Sequence, residues 1–152
     1  MDAEAGPTAK TSAAVPSLDV GSLEQASAFL QAAGLVLDEI TADRVAGHLD
    51  LSPAHHTPWE IVHGGVYTTA IESAASVGAS HAVRDKGQVA VGLTNTTHFL
   101  RSLTTGQVHV EAAALSQGRT QQLWRVDITD EAGGLVAHGE VRLQNIAAKP
   151  KA

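Results

Sequence analysis

The chain contains no cysteine, which excludes disulfides and thiolate metal sites and fits a reducing compartment. Aromatic side chains are scarce, five in 152 residues, so a core must be assembled mainly from Ala, Val, Leu and Ile. Basic residues are few as well: ten Lys and Arg against sixteen Asp and Glu give a formal charge of −6. Without a basic footprint, binding to nucleic acid is not expected. No segment approaches the ~20 apolar residues of a membrane helix. The acidic opening MDAEAGPTAK also lacks the apolar stretch of a signal peptide. The expectation is a cytoplasmic protein with no membrane partner.

What is present suits one folded domain, with 43% hydrophobic and 17% charged residues. Residues 1–20, rich in Ala, Ser, Thr and Pro, read as a flexible tail, 21–147 as a single domain, and 148–152 as a basic C-terminal tail. Ser22 resembles an N-cap for LEQASAFLQAAG, where Leu23, Ala26, Phe29 and Leu30 recur at helical spacing and Gly34 supplies the stop. LVLDEI and RVAGHLDLS read as two strands around a tight turn at Thr41–Asp43, and PAHHTPWEI as a loop. From about Gly64 to Val83 the chain has no proline and small residues throughout, which predicts one helix of ~30 Å. Four alternating segments follow, beginning at Gln88, Gly106, Thr120 and Gly134, with a hairpin signal at DEAGG. This order predicts an α+β fold, a curved antiparallel sheet wrapped around one long central helix. The open edges of such a sheet invite a second copy, so a dimer with a continuous sheet is expected.

Within VHGGVYTTAIESAAS, Glu72 is the one fully charged side chain between Glu60 and Arg84. On a helical wheel Thr68, Thr69, Ser76 and Ser80 form a polar stripe around it. The stripe has two readings: small residues that permit close backbone packing, or hydroxyls that hydrogen-bond a carboxylate or ligand. His63, Gly64 and Gly65 sit at the helix N-terminus, where free N–H groups favour a developing oxyanion. They also read simply as a glycine-rich helix entry. Nine residues separate His63 from Glu72, ~13 Å along the axis and about half a turn out of phase. One helix cannot bring both to the same carbon. If both serve one site, the glycine amides and the carboxylate come from different chains related by a two-fold axis.

Other chemistry finds little support. The eight histidines, including His55, His56, His98 and His109, show no metal-ligand spacing, and no metal site is expected. No GxSxG elbow, P-loop or GxGxxG is present. Arg101, Arg119, Lys149 and Lys151 read as isolated surface cations.

HGGVYTTAIESAASVGAS, VAVGLTNTTHFLRSLTTGQV and GRTQQLWRVDITDEAGGLVAHGEV together resemble the hotdog-fold acyl-CoA thioesterases, from about Leu35 to Ile146. The similarity is to the glutamate-using branch, which includes 4-hydroxybenzoyl-CoA and 1,4-dihydroxy-2-naphthoyl-CoA thioesterases. The resemblance implies dimers with one continuous sheet, tetramers built from two dimers, and an acyl-CoA substrate whose CoA is the only cofactor-like group. It implies Glu72 as general base or nucleophile, with Ser76 close to it. The Gly65 amide of the opposite chain would polarise the thioester carbonyl, with His63 and Gly64 shaping that corner. Arg101, Arg119 and Thr120, and more loosely Lys149, fall where members contact CoA. Two departures stand out. Thr57 occupies the position of a glutamine that orients thioester or water, and Glu60 stands where glycine is usual; RS also replaces RP at Arg101–Ser102. The alternatives are a hotdog enoyl-CoA hydratase or dehydratase and, given Thr57, a non-catalytic acyl-CoA-binding module.

Overall fold

The computed structural model describes residues 22–149. The period-two segments form six strands: β1 (Val36–Ile40), β2 (Arg44–Leu51), β3 (Gln88–Phe99), β4 (Gly106–Gln117), β5 (Gln121–Asp130) and β6 (Leu135–Ala147). All pair antiparallel in the order β1-β2-β4-β5-β6-β3, which leaves β1 and β3 at the edges. The long helix, numbered α2 below, spans Gly64–Val83 as its composition predicts, and it touches every strand. This is the hotdog arrangement, the sheet curled around one helix. Among the described residues no helix is long and apolar enough to cross a membrane.

Small side chains let α2 sink into the sheet. Gly78 faces Trp124, a fully buried β5 residue, and a Cβ at Gly78 would stand 2.5 Å from the indole Cη2. Polar groups lock the same contact. The buried Gln122 donates to the Ala79 carbonyl of α2 at 3.0 Å and to Asn145 Oδ1 at 2.8 Å, and accepts from Trp124 Nε1 at 2.9 Å. Tyr67, on the same helix, is enclosed too, and burial pushes its phenol pKa up.

The N-terminal helix departs from expectation. In place of one helix from Ser22, a 3-10 turn (Ser22–Gln25) precedes a short helix α1 (Ala28–Ala33). Ser27 is the actual N-cap, its Oγ accepting from the Leu30 N–H at 3.2 Å. A serine in a helix interior competes for backbone donors, and here it restarts the helix. Gly34 ends α1 at φ 78°, as the sequence suggests. Leu23 is buried and Leu30 packs on the core, but Phe29 is 67% exposed, so the apolar stripe is not all docked. The expected tail at 1–20 lies outside the described residues, as do residues 150–152 of the expected C-terminal tail.

Gly78→Ala should destabilise the protein, because overpacking against Trp124, about 1–3 kcal/mol, outweighs the roughly 1 kcal/mol of helix propensity gained. A denaturant midpoint equal to or above that of the parent would show that α2 does not sit this close to β5.

Candidate active site

Glu72 lies on the face of α2 turned toward the edge strand β3. Its half-buried carboxylate accepts from Asn95 Nδ2 through Oε2 at 2.9 Å and from Ser76 Oγ through Oε1 at 3.3 Å. Asn95 is fixed in turn by Thr97, whose Oγ1 donates to Asn95 Oδ1 at 2.7 Å. Gly92 makes room for the acid: a Cβ there would lie 2.5 Å from Glu72 Oε1. A carboxylate taken partly from water thus keeps hydrogen bonds and a defined orientation.

Neither Asn95 nor Thr97 was singled out from the sequence, and the reason is a register shift. Ala90 and Gly92 face α2, so strict alternation would turn Thr94 and Thr96 inward. A bulge between Gly92 and Thr94 reverses the parity and presents Asn95, Thr97 and Phe99 instead. A bulge of this kind leaves no clear mark in GLTNTTHF.

The polar stripe divides between its two readings. Ser76 reaches Glu72, whereas the Thr68 and Thr69 hydroxyls donate to the Gly64 and Gly65 carbonyls of their own helix, at 3.3 and 2.7 Å. Ser80 Oγ accepts from the Ala90 N–H at 3.0 Å and so fastens α2 to β3.

At the other end of the helix, His63 is the N-cap, and its Nδ1 accepts the Gly65 N–H at 2.8 Å. Gly64 is approached by the Phe99 ring, 2.8 Å from where a Cβ would stand. In this arrangement the Gly65 amide is engaged, and it becomes available to a carbonyl only when the imidazole turns away.

Among the described residues, cavities border α2 on more than one side. One of about 560 Å³ is lined by Glu72, Asn95, Ser73, Phe29 and Leu30. A second, about 590 Å³, holds His63, Gly65, His55 and His56. A third, about 280 Å³, is bordered by Thr57, Gly64, Tyr67, Phe99 and Arg101. Glu72 and the glycines line separate cavities within one chain, in keeping with the helical spacing. His55 and His56 bond backbone carbonyls of Ala32 and Thr104. Among the described residues no three His, Asp or Glu side chains are grouped to hold a metal.

The candidate cations do not converge. Arg101 pairs with Asp130 at one end of β5, while Arg119 and Thr120 lie in the turn at its other end. Ten residues of strand put roughly 30 Å between the two groups. Asn145 lies beside Arg119 and Thr120, its Nδ2 on the Arg119 carbonyl at 3.2 Å and its N–H on the Thr120 carbonyl at 2.8 Å, which brings the exposed Lys149 to that same end.

The loop before α2 explains one departure. The Thr57 N–H donates to the Ile61 carbonyl at 2.7 Å and the Glu60 N–H to the Thr57 carbonyl at 3.0 Å, closing a tight turn with Glu60 at φ 60°. Glycine is favoured in that region, and here a glutamate occupies it with its side chain exposed. The Thr57 hydroxyl is occupied locally, accepting from the Trp59 N–H at 3.2 Å.

A family model described as "Thioesterase superfamily" matches residues 60–137, the segment from this turn to the start of β6. The chain belongs to that superfamily. The solved structure of Rv1847/MT1895 from Mycobacterium tuberculosis superposes with a TM-score of 0.77 at 43% identity, covering 80% of this chain and 98% of that one. 1,4-Dihydroxy-2-naphthoyl-CoA thioesterase 2 of Arabidopsis thaliana is 37% identical over 98 residues, 64% of this chain and 61% of that protein. 1,4-Dihydroxy-2-naphthoyl-CoA hydrolase of Listeria monocytogenes is 30% identical over 98 residues, 64% and 79% respectively. The protein is a hydrolase of the thioester-cleaving kind.

Two substitutions test the local geometry of this thioesterase. Gly92→Ala should fold with nearly parental stability, because the clashing atom is the free end of a side chain, but a crystal structure should show the Glu72 carboxylate displaced from Asn95. Glu60→Gly should be neutral or stabilising by up to about 1 kcal/mol, since relief of ~1–2 kcal/mol of left-handed strain exceeds glycine's entropic cost of roughly 0.5–1 kcal/mol. A loss of thermal stability in Glu60→Gly would contradict the turn.

Proposed function

We propose that the protein hydrolyses an acyl-CoA thioester, with an aromatic acyl group preferred, to the free acid and CoA. The observation that carries this reading is the Glu72 carboxylate, oriented by Asn95 and Ser76 at the wall of a largely apolar cavity. As general base it takes a proton from water while the water oxygen bonds to the thioester carbon. The carbonyl becomes an oxyanion, the C–S bond then breaks, and the departing CoA thiolate takes up a proton. As nucleophile it would instead form an anhydride that water opens. No cofactor is needed beyond the CoA of the substrate.

The oxyanion donor in this proposal is the Gly65 amide of a second copy, with His63 turning away from it on substrate binding and Gly64 admitting the close approach. The edge strand supports such a dimer. Glu72 meets β3 at Gly92 and Asn95, whereas Gly64 meets it at Phe99. Antiparallel pairing of two β3 edges about an axis near Asn95 would set Glu72 of one copy beside Gly64 and Gly65 of the other. The exposed Val91 and Leu93 on that edge fit burial in the pairing. The same axis would carry Arg101 and Thr57 of one copy toward the end where the other presents Arg119, Thr120 and Lys149, a set able to take the CoA phosphates. Two such dimers would form the tetramer.

A second reading, binding without hydrolysis, is favoured by the hydrogen bond that occupies the Gly65 amide. Thiol release separates the two. Glu72→Gln should lower kcat by about 10³-fold or more with the oligomer intact, and unchanged turnover would remove Glu72 from the reaction. Asn95→Leu should lower kcat about 10- to 100-fold, the equivalent of one charge-assisted hydrogen bond, with KM nearly constant. Tight binding of CoA esters by the parent protein, with no thiol released from any, would establish the binding module.

A further inference from the structure

Phe29 is out of place by the ordinary logic of this chain. With five aromatic residues available, one is spent on a six-residue helix and left 67% exposed. The helix that carries it is nevertheless well held. Ser27 caps its start, Gly34 closes its end, Leu30 packs on the core, and His55 Nε2 bonds the Ala32 carbonyl at 3.2 Å. The ring therefore stands at a defined place outside the core. That place is the junction of two cavities: Phe29, with Thr68 and Thr69, lines both the Glu72 cavity and the His63–Gly65 cavity.

We propose that Phe29 is a specificity-determining wall for the acyl group, selecting compact aromatic acyl chains over long linear ones. This rests on the thioesterase reading above. A flat acyl group entering the Glu72 cavity can lie against the Phe29 ring in the offset or edge-to-face geometry that aromatic pairs favour. Leu30 supplies the apolar side, and Asn95 stays engaged with the acid. An extended alkyl chain gains no stacking, and to continue it must pass Phe29 toward the neighbouring cavity. Removing the ring merges the two spaces, so the substitution should cost the aromatic ester affinity and give the linear one room. Thr68 and Thr69 do not set this choice, because their hydroxyls are turned back onto helix carbonyls.

The test compares benzoyl-CoA with decanoyl-CoA in the full-length parent, Phe29→Ala and Phe29→Tyr. Two readouts are used: thiol release, and calorimetric affinity measured on the Glu72→Gln background. Phe29→Ala should shift the benzoyl-to-decanoyl ratio about tenfold toward decanoyl-CoA in kcat/KM and in Kd, mainly through KM, with the melting temperature nearly unchanged. Phe29→Tyr, which keeps the ring, should retain the parental ratio. Hydrolysis with a ratio unmoved by Phe29→Ala overturns the wall and leaves the thioesterase reading standing. A shift in the Kd ratio without hydrolysis in any protein keeps the wall and overturns hydrolysis. Absence of both binding and hydrolysis overturns both.

Discussion

The close approach of α2 to the sheet, at Gly78 over Trp124, is the constraint on which the rest of the molecule depends. A helix that touches six strands has room for few large side chains on those faces, so apart from Tyr67 and Ile71 its buried positions are alanine, glycine and valine. The aliphatic content missing from the helix is returned by the strands, whose inward residues include Leu49, Val110, Val126, Ile128, Val141 and Leu143. Packing of this kind is unforgiving in volume but vague in rotation, since small side chains interlock weakly. Gln122 removes that freedom. Its amide binds the Ala79 carbonyl and Asn145, and Asn145 binds the Gly118 and Arg119 carbonyls, so the helix is keyed to the β4–β5 turn by satisfied buried hydrogen bonds.

Once the rotation of α2 is set, the position of Glu72 follows. It emerges where the sheet runs out, against the last strand, so its carboxylate is half-buried and can reach both a cavity and the side chains of β3. A deeper position would strand the charge, and a shallower one would leave it hydrated and mobile. Gly92 and the bulge that follows it serve this compromise together. The glycine clears the space, and the bulge turns Asn95 inward to fill the remaining hydrogen-bonding capacity of the acid.

How much of this could be read in the sequence depends on which physical signal carried it. Helix length, strand alternation and the DEAGG hairpin are local and periodic, so the order of elements and the bounds of α2 were legible. The separation of Glu72 from HGG was legible as well, because it is arithmetic on one rigid helix. Features that depend on a single backbone irregularity were not. Ser27 divides the predicted first helix, and the β3 bulge hides Asn95 and Thr97. The orientation of the His63 ring, which decides what the Gly65 amide is bonded to, leaves no trace in three letters. Glu60 lies between these cases: its identity marked a departure from the resembled family, and only the φ of 60° gives glycine's usual place there a physical reason.

The polarity of α2 links these features. Its N-terminal end carries His63 and the glycines, with Phe99 and Arg101 beside them, and Glu72 lies two turns along toward the end near Arg119. In the proposed reaction the N-terminal end would supply the oxyanion donors and the middle of the helix the carboxylate. No bending of a 20-residue helix packed on six strands joins them. On the proposed two-fold axis the antiparallel arrangement of two such helices would make donors and carboxylate meet twice, once at each side of the β3 seam. The same rigidity that separates the groups within a chain would then hold them in register across the pair. Flexibility would be needed only in the His63 ring.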